Sequence, residues 1–177
     1  MYQLKIPKLR VAVLIGKSGE VKRQIEEATH ARLSIDSKEG DVTLTAEDGL
    51  DLYSAKEVVQ AIGRGFNPNV ARLLLKGDYA FEKIDLSEHA ATKNHFIRLK
   101  GRIIGAGGKC RRLIEELTEC HLSIYGKTIG IIGEPENVAS ARQAVGLLIK
   151  GSMHSTVYRW LEKKGKQIRE RERQRDG

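Results

Sequence analysis

Apolar and polar positions follow a regular order of periodicities through the first third of the chain. Alternation with a period of two predicts strands, and apolar residues three or four positions apart predict helices with one buried face. The predicted elements are a strand over residues 2–6, helices over 9–15 and 20–30, strands over 32–36 and 42–46, and a helix over 50–63. This part of the chain is therefore predicted to fold as strand, helix, helix, strand, strand, helix.

The same order of elements returns in the second half of the chain. The predicted elements are a strand over residues 79–86, helices over 97–104 and 109–118, strands over 121–125 and 128–132, and a helix from Pro135 to residue 150. Residues 87–95 interrupt this order, so the second copy either carries an insertion there or has its first strand elsewhere. The pattern predicts an α+β fold built from two similar modules.

A Gly-x-x-Gly sequence stands between the first two helices of each copy. The two sequences are Gly16-Lys17-Ser18-Gly19 and Gly105-Ala106-Gly107-Gly108, which lie 89 residues apart. At this offset, and without a gap, further identities pair Thr29 with Thr118, Leu33 with Leu122, Ser34 with Ser123, and Ile35 with Ile124. A repeat of this extent indicates two domains rather than one.

Each Gly-x-x-Gly sequence has the chemistry of a phosphate-binding turn. Glycine permits positive φ and leaves no Cβ between the backbone and a ligand. The helix that follows directs its unpaired N–H groups and the positive end of its dipole at the turn, which suits an anion. The flanking cations that we predict to assist are Lys17, Lys22 and Arg23 at the first turn and Arg102, Lys109, Arg111 and Arg112 at the second.

The rest of the chain divides into a connector and a tail. We predict a first domain over residues 1–66, a helical connector over 67–78, a second domain over 79–151 and a basic carboxyl-terminal segment over 152–177. Asn67 and Pro68 suit the start of the connector helix. The tail is expected to have no counterpart in the first copy, with a helical apolar face at Val157, Trp160 and Leu161. Residues 167–177 are expected to be a solvated or frayed helix.

Composition narrows the class of partner. The 177 residues carry a net charge of +8, which indicates a polyanionic ligand, nucleic acid first among the candidates. The low aromatic content, 5%, argues against binding by base stacking on exposed rings. No apolar run is long enough to span a membrane and residues 1–7 are no signal peptide, so we expect a cytoplasmic protein.

Other kinds of site find less support in the sequence. Cys110 and Cys120 are too few for a four-ligand zinc site and are interpreted as buried or idle thiols, and the histidines lack ligand spacing. A nuclease would need clustered carboxylates to hold metal ions. The acidic pairs Glu26-Glu27 and Glu115-Glu116 are interpreted as solvated helix faces instead. We therefore expect no catalytic residues, no metal and no cofactor.

Two alternatives stay open at this point. The glycine turns could be helix starts that only pack tightly, although the duplication and the flanking cations favour contact with nucleic acid. The chain could also be a cap or adaptor subunit of another RNA-processing complex. Six apolar positions around the turns are expected to be core residues more than groove lining, although some could serve as both: Ile15, Ile25, Leu33, Ile104, Ile114 and Leu122.

The Ile-Gly-x-x-Gly turns between paired helices resemble the KH domain of the eukaryotic arrangement, type I. In that family the turn clamps about four single-stranded nucleotides beside an aliphatic groove. The resemblance implies two tandem type I KH domains with a helical connector and an extra carboxyl-terminal helix. It also implies that Gly16, Lys17, Ser18 and Gly19 form one clamp and Gly105, Ala106, Gly107 and Gly108 the other, where Ala106 and Gly107 bring no charge.

The second half more closely resembles archaeal relatives of the Krr and Pno (Dim) ribosome-assembly proteins. The runs that carry this resemblance are residues 98–105, 111–118, 123–128 and 154–159. It implies binding of single-stranded RNA near the 3′ end of small-subunit ribosomal RNA, without enzymatic activity. It further implies two partners, the Nob-type endonuclease and the alpha subunit of initiation factor 2.

Overall fold

Short amphipathic segments build each half of the computed structural model, which describes residues 1–177. The elements of the first half are β1 (Tyr2–Lys5), α1 (Lys8–Ile15), α2 (Glu20–Thr29), β2 (Arg32–Ile35), β3 (Asp41–Thr45), α3 (Gly49–Gly63) and α4 (Pro68–Ala71). Those of the second half are β4 (Ala80–Asp85), α5 (Lys93–Ile104), α6 (Lys109–Thr118), β5 (His121–Tyr125), β6 (Thr128–Gly133), α7 (Pro135–Ile149) and α8 (His154–Asp176). The predicted order of elements is confirmed in both copies.

The chain separates into two units, residues 1–81 and 82–177. The first contains an antiparallel sheet in the order β1-β3-β2, and the corresponding sheet of the second half has the order β4-β6-β5. In the register of the first sheet, Leu44 of the central strand lies opposite both Tyr2 and Leu33. The finer division of the chain at residues 66, 78 and 151 stays a prediction.

Alternation along β2 and β3 gives the first sheet one buried face, which helices cover, whereas consecutive residues of β6 are buried in the second sheet. Leu33, Val42 and Leu44 are buried in the first half together with Leu14 and Ile25 of the two helices that flank the glycine turn. In the second half, the central strand β6 is apolar almost throughout, and its Ile129, Ile131 and Ile132 are fully buried. Each half thus has its own apolar core, on which the glycine turn is mounted.

The segment before the second glycine turn differs from its counterpart in the first half. β4 pairs with β6 at the sheet position that β1 holds in the first half, so β4 is the first strand of this module and does not lie elsewhere. Residues Leu86–His89 form a 3-10 turn, and the Thr92 hydroxyl accepts a hydrogen bond from the backbone N–H of His95 at 3.1 Å. With that cap, α5 begins at Lys93 and has 12 residues, against eight in α1.

The expectation that the tail has no counterpart in the first half is wrong for the first turn of the tail helix and holds for the rest of it. Gly65 and Gly151 have φ of 100° and 102°, and each is followed three residues later by the start of a helix, α4 or α8. Ala71 of α4 and Val157 of α8, which lie 86 residues apart, are both fully buried. The first turn of α8 is therefore repeated by α4. The chain then forms a 3-10 turn at Arg72–Leu75 in the first half, whereas α8 has 23 residues in all. No helix in the structure is sufficiently long and apolar to cross a membrane.

Candidate nucleic-acid interface

The two glycine turns have nearly the same backbone conformation. In the first glycine of each turn, φ and ψ are 74° and 175° at Gly16 and 76° and 172° at Gly105. In the last glycine, φ and ψ are 76° and 15° at Gly19 and 78° and 13° at Gly108. Each of these glycines caps the following helix without a side-chain hydrogen bond. The N-termini of α2 and α6 therefore keep backbone donors at the turn, as an anion site requires.

The first and last glycines of each turn meet different constraints. A Cβ added to Gly16 would lie 2.5 Å from the Val21 Cγ2 atom, and one added to Gly105 would lie 2.7 Å from the backbone nitrogen of Cys110. Around Gly108, the nearest such neighbour is a guanidinium nitrogen of Arg112, at 3.2 Å. Packing thus requires the first glycine, while the last needs glycine for its positive φ and leaves the turn open on that side.

Arg23 and Arg112 stand at equivalent positions of the repeat, and each supports its glycine turn from the helix that follows it. Arg23 Nη1 donates to the Ser18 carbonyl at 2.9 Å, and Arg112 Nη1 donates to the Gly107 carbonyl at 2.7 Å. Both side chains are exposed, and a guanidinium has five N–H donors, so donors are left for a phosphate. The sequence predicted these arginines as ligand contacts but not as supports of the turn.

The other predicted cations separate into two groups. Lys17 and Lys109 are exposed beside the turns, and Lys22 is half-buried. Arg111 forms an ion pair with the Glu115 carboxylate at 3.0 Å, one helical turn away. The structure thus places exposed ammonium groups at both turns, whereas Arg111 already has an acidic partner.

Arg102 is engaged with backbone carbonyls. Its Nε donates to Leu148 at 3.4 Å and its Nη2 to Ser152 at 2.5 Å, at the end of α7. In the first half, Arg10 donates in the same way to Ile62 at 2.8 Å and Phe66 at 2.7 Å. Arg10 stands earlier in its helix than Arg102 does, so comparison of the two sequences did not reveal that they have the same role.

The two helices that follow the turns differ in their first residue. α2 begins with Glu20, and α6 begins with Lys109 at the equivalent position. A carboxylate in the first turn of a helix competes with a bound phosphate for the helix dipole, whereas a lysine attracts the phosphate. The second turn therefore has the more favourable field for an anion, although Lys17 of the first turn is replaced there by Ala106.

The interpretation of both acidic pairs as solvated faces is wrong for the first member of each pair. Glu26 Oε2 accepts from the backbone N–H of Leu33 at 3.0 Å, and Glu115 Oε2 accepts from that of Leu122 at 3.1 Å. Each carboxylate thereby joins a helix to the next strand. Glu27 and Glu116 are exposed, as expected. No group of three histidine, cysteine or acidic residues in the structure could hold a metal ion.

Apolar surface adjoins each turn. Ile25, Leu33, Ile114 and Leu122 are buried, as predicted for core residues. Ile15 and Ile104, the last residues of α1 and α5, are only half-buried. The prediction of core positions is therefore wrong for these two, because each stands at the helix end where the chain leaves the core. Their exposed apolar surface lies beside each glycine turn, where a nucleotide base could pack.

Both thiols and one phenol near this surface are held in their neutral forms. Burial raises the pKa of the Cys110 thiol, and the neighbouring Tyr158 and Arg102 side chains offset this effect only in part. Burial and the neighbouring Cys110 side chain raise the pKa of Tyr158 to about 12. Burial also raises the pKa of Cys120 to about 11. Cys110 and Cys120 are buried and free of disulfide bonds, so neither has the thiolate character of a nucleophile.

Two protein-family models match the chain, one in each of its two modules. The KH domain family matches residues 1–61, and the eukaryotic type KH domain, type I, matches residues 80–166. Among known proteins, a KH domain-containing protein of Methanocaldococcus jannaschii is 45% identical over 170 residues, covering 94% of this chain and 74% of that protein. The RNA-binding protein pno-1 of Caenorhabditis elegans is 36% identical over 115 residues, which are 63% of this chain and 42% of pno-1. The chain thus spans less than half the length of that relative.

Several solved structures resemble this chain over nearly its whole length. Dim2p from Pyrococcus horikoshii is 43% identical with a TM-score of 0.85, covering 92% of this chain and 98% of that one. A crystal structure of an a/eIF2α–aDim2p–rRNA complex from the same organism contains a chain with 43% identity and a TM-score of 0.86, with 94% of each chain covered. A protein of unknown function from Aeropyrum pernix is 38% identical, with a TM-score of 0.91 over 98% of this chain and 95% of that one.

The predicted fold class is therefore confirmed as two tandem type I KH domains. The resemblance to ribosome-assembly proteins is confirmed by relatives and solved structures that cover most of the chain. This chain belongs to the archaeal Pno/Dim family of KH-domain proteins, an RNA-binding family of ribosome biogenesis.

Proposed function

We propose that the protein binds single-stranded RNA near the 3′ end of small-subunit ribosomal RNA during ribosome assembly or rRNA maturation. The observation that carries this proposal is the pair of glycine turns, each with left-handed glycines and a helix N-terminus without a side-chain cap. A solved relative in complex with rRNA supports ribosomal RNA as the ligand. The 3′ end is what the family resemblance implies.

The second turn is proposed as the principal clamp. It has Lys109 where the first has Glu20, and the flanking Arg112 holds the turn through the Gly107 carbonyl. Exposed backbone at Ala106 and Gly107 offers donors without a side chain in the way. The principal site that we propose comprises Gly105, Ala106, Gly107, Gly108, Lys109, Arg111 and Arg112, with Arg102 behind it. The weaker site, at the first turn, comprises Gly16, Lys17, Ser18, Gly19, Lys22 and Arg23.

For partners, we propose the alpha subunit of initiation factor 2, which is present in the complex of the Pyrococcus horikoshii relative. A Nob-type endonuclease is proposed from the family resemblance alone. We propose that the protein is cytoplasmic and, like KH proteins in general, has no enzymatic activity of its own. Single-stranded RNA incubated with the purified protein and Mg²⁺ should therefore stay intact on a denaturing gel, and clean cleavage would contradict this proposal.

The clamp is tested by two double variants, Gly16→Asp with Gly19→Asp and Gly105→Asp with Gly108→Asp. At Gly19 and Gly108, aspartate adds a side chain and a negative charge on the open side of the turn, where the phosphate would lie; at Gly16 and Gly105, its Cβ also clashes with the start of the following helix. Binding to a short RNA that copies the 3′ end of archaeal small-subunit rRNA is measured by fluorescence anisotropy. We expect the second variant to lose binding and the first to keep most of it.

A control variant adds the same charge elsewhere. Gly49 and Gly77 are exposed, lack positive φ and have open space around a Cβ, so Gly49→Asp with Gly77→Asp should bind RNA almost like the wild type. Circular dichroism establishes that all three variants are folded. Unchanged affinity in both turn variants would mean that the glycine turns are structural and that RNA binds another surface.

A further inference from the structure

The first turn of α8 is bonded to the residues on both sides of the second glycine turn. His154 Nε2 lies 2.8 Å from the carbonyl oxygen of Arg102, three residues before Gly105. Because a carbonyl can only accept, the ring nitrogen donates. Tyr158, one helical turn further along α8, lies beside the Cys110 side chain, two residues after Gly108.

Arg102 both accepts a hydrogen bond from α8 and donates one to the residues just before it. While its carbonyl accepts from His154, its guanidinium donates to the Ser152 carbonyl just before α8. The His154 and Tyr158 rings are stacked, with centroids 6.1 Å apart and planes inclined by 20°. Two fully buried neighbours on the same helix, Val157 and Leu161, anchor α8 in the core of this unit. The two ends of the turn are thus tied to one rigid element.

The first module lacks the side chains for these bonds at equivalent positions. Pro68 stands in the place of His154 and has no side-chain donor, and Val21 stands in the place of Cys110 and has no acceptor. Arg72 stands in the place of Tyr158, and its Nη1 donates to the Gln24 side chain at 2.8 Å, further along α2. The α8 bonds therefore belong to the second turn alone.

We infer that His154 and Tyr158 are positioning residues that hold the second Gly-x-x-Gly turn ready for an RNA phosphate. This inference rests on the proposed function of that turn. A turn whose backbone donors already point at the phosphate loses less conformational entropy when RNA binds, which slows dissociation. The difference between the modules then lies in the support of the turn as well as in its charges.

The experiment compares the full-length wild type with His154→Ala plus Tyr158→Phe. His154→Ala removes the hydrogen bond to the Arg102 carbonyl and the stacking on Tyr158, and Tyr158→Phe removes the hydroxyl beside Cys110, while the buried face of α8 is unchanged. We therefore expect affinity for the 3′-end RNA to fall about three- to thirty-fold, through faster dissociation. The ¹H–¹⁵N heteronuclear NOE at residues 106–108 should decrease, since those amides become more mobile. The same measurement at residues 17–19 should not change.

Two further variants separate positioning from stability. His154→Gln keeps an N–H donor and should restore most of the affinity when Tyr158 is native. Glu136→Gln breaks a different contact of α8, the 3.4 Å ion pair with Arg171, and should bind RNA like the wild type. Tyr158→Phe alone is mild enough to fold and should give a smaller loss of the same kind.

The outcomes that would overturn the inference differ from those that would overturn the proposed function. If Gly105→Asp with Gly108→Asp abolishes binding but the His154 and Tyr158 variant binds like the wild type, only the positioning role is wrong. Weaker binding with an unchanged NOE at residues 106–108 would also refute it, because α8 would then contact RNA itself. Unchanged binding in the glycine variant would refute the clamp and the inference together.

Discussion

Gly105 and Gly107 lie two residues apart in the second turn, but their substitution should have different consequences. A Cβ on Gly105 would meet the backbone nitrogen and the Cβ of Cys110 at 2.7 and 2.8 Å, whereas nothing lies within 4 Å of one on Gly107. Moreover, Ser18 holds the left-handed conformation equivalent to Gly107, with φ of 54°. The repeat itself therefore demonstrates that a side chain is tolerated at that position.

We predict that Gly105→Ala lowers the free energy of unfolding by about 2–4 kcal/mol, because strained φ and a backbone clash combine. Gly107→Ser should lower it by only about 1 kcal/mol, the usual cost of a left-handed non-glycine residue. Urea unfolding followed by circular dichroism measures both. Equal losses would mean that the turn rearranges to make room at Gly105.

The adjacent acidic residues Glu115 and Glu116 form a second contrast at this scale. Glu115→Ala leaves the backbone N–H of Leu122 without its acceptor and should lower the free energy of unfolding by about 1–3 kcal/mol. Glu115→Gln keeps a carbonyl acceptor and should recover part of that loss. Glu116→Ala, on the exposed side, should change it by less than about 0.5 kcal/mol. Similar losses at the two positions in urea unfolding would refute the structural role of Glu115.

At the scale of elements, α4 and the start of α8 are the same structural unit with different extensions. Both follow a glycine with φ near 100° and both bury their fourth residue, Ala71 or Val157. The unit packs behind the helix that follows the glycine turn, through Arg72 and Gln24 in the first module. The longer α8 adds buried apolar surface that α4 does not have, at Leu161.

The extension of α8 should therefore contribute to stability beyond its first turn. We predict that Leu161→Ala lowers the free energy of unfolding by about 2–5 kcal/mol, since it leaves a cavity where a side chain only 1% exposed was packed. Lys163→Ala, two residues on and exposed, is the matched control and should have almost no effect. If both variants unfold at the wild-type urea concentration, α8 does not depend on its contact with the core.

At the scale of the whole molecule, the net charge of +8 and the two proposed phosphate clamps make the salt dependence of RNA binding informative. Each phosphate neutralised on a single strand contributes about −0.7 to the slope of log affinity against log salt. A KH module holds about four nucleotides. We predict a slope of about −3 if one module binds the RNA and about −6 if both do.

Fluorescence anisotropy in KCl from about 50 to 300 mM measures this slope. The Gly16→Asp with Gly19→Asp variant should keep a slope of about −3, because its second module is intact. Affinity that does not change with salt would exclude phosphate clamping as the main source of binding energy.

The sequence by itself determined the order of elements, the duplication, the position of the glycine turns and the family. These features have local causes: the period of apolar residues fixes strand or helix, and a glycine fixes a positive φ within a few residues of itself. Ser18 shares the left-handed conformation of Gly107 although it is not a glycine, because the surrounding turn imposes that conformation.

Only the tertiary structure decided what the polar side chains of the two modules do. Arg102 and Arg10 bind carbonyls about 50 residues away, and Glu26 and Glu115 bind the N–H of the following strand. The sequence gives charge and spacing but not the carbonyl or N–H that lacks a partner at that place in the fold. Buried backbone groups must be satisfied, so their positions in space recruit these side chains. The same reason ties His154 to the Arg102 carbonyl beside the second turn. Only the fold reveals that α4 repeats the start of α8, because residues 65–75 and 151–161 share just two identities, Gly65 with Gly151 and Leu75 with Leu161.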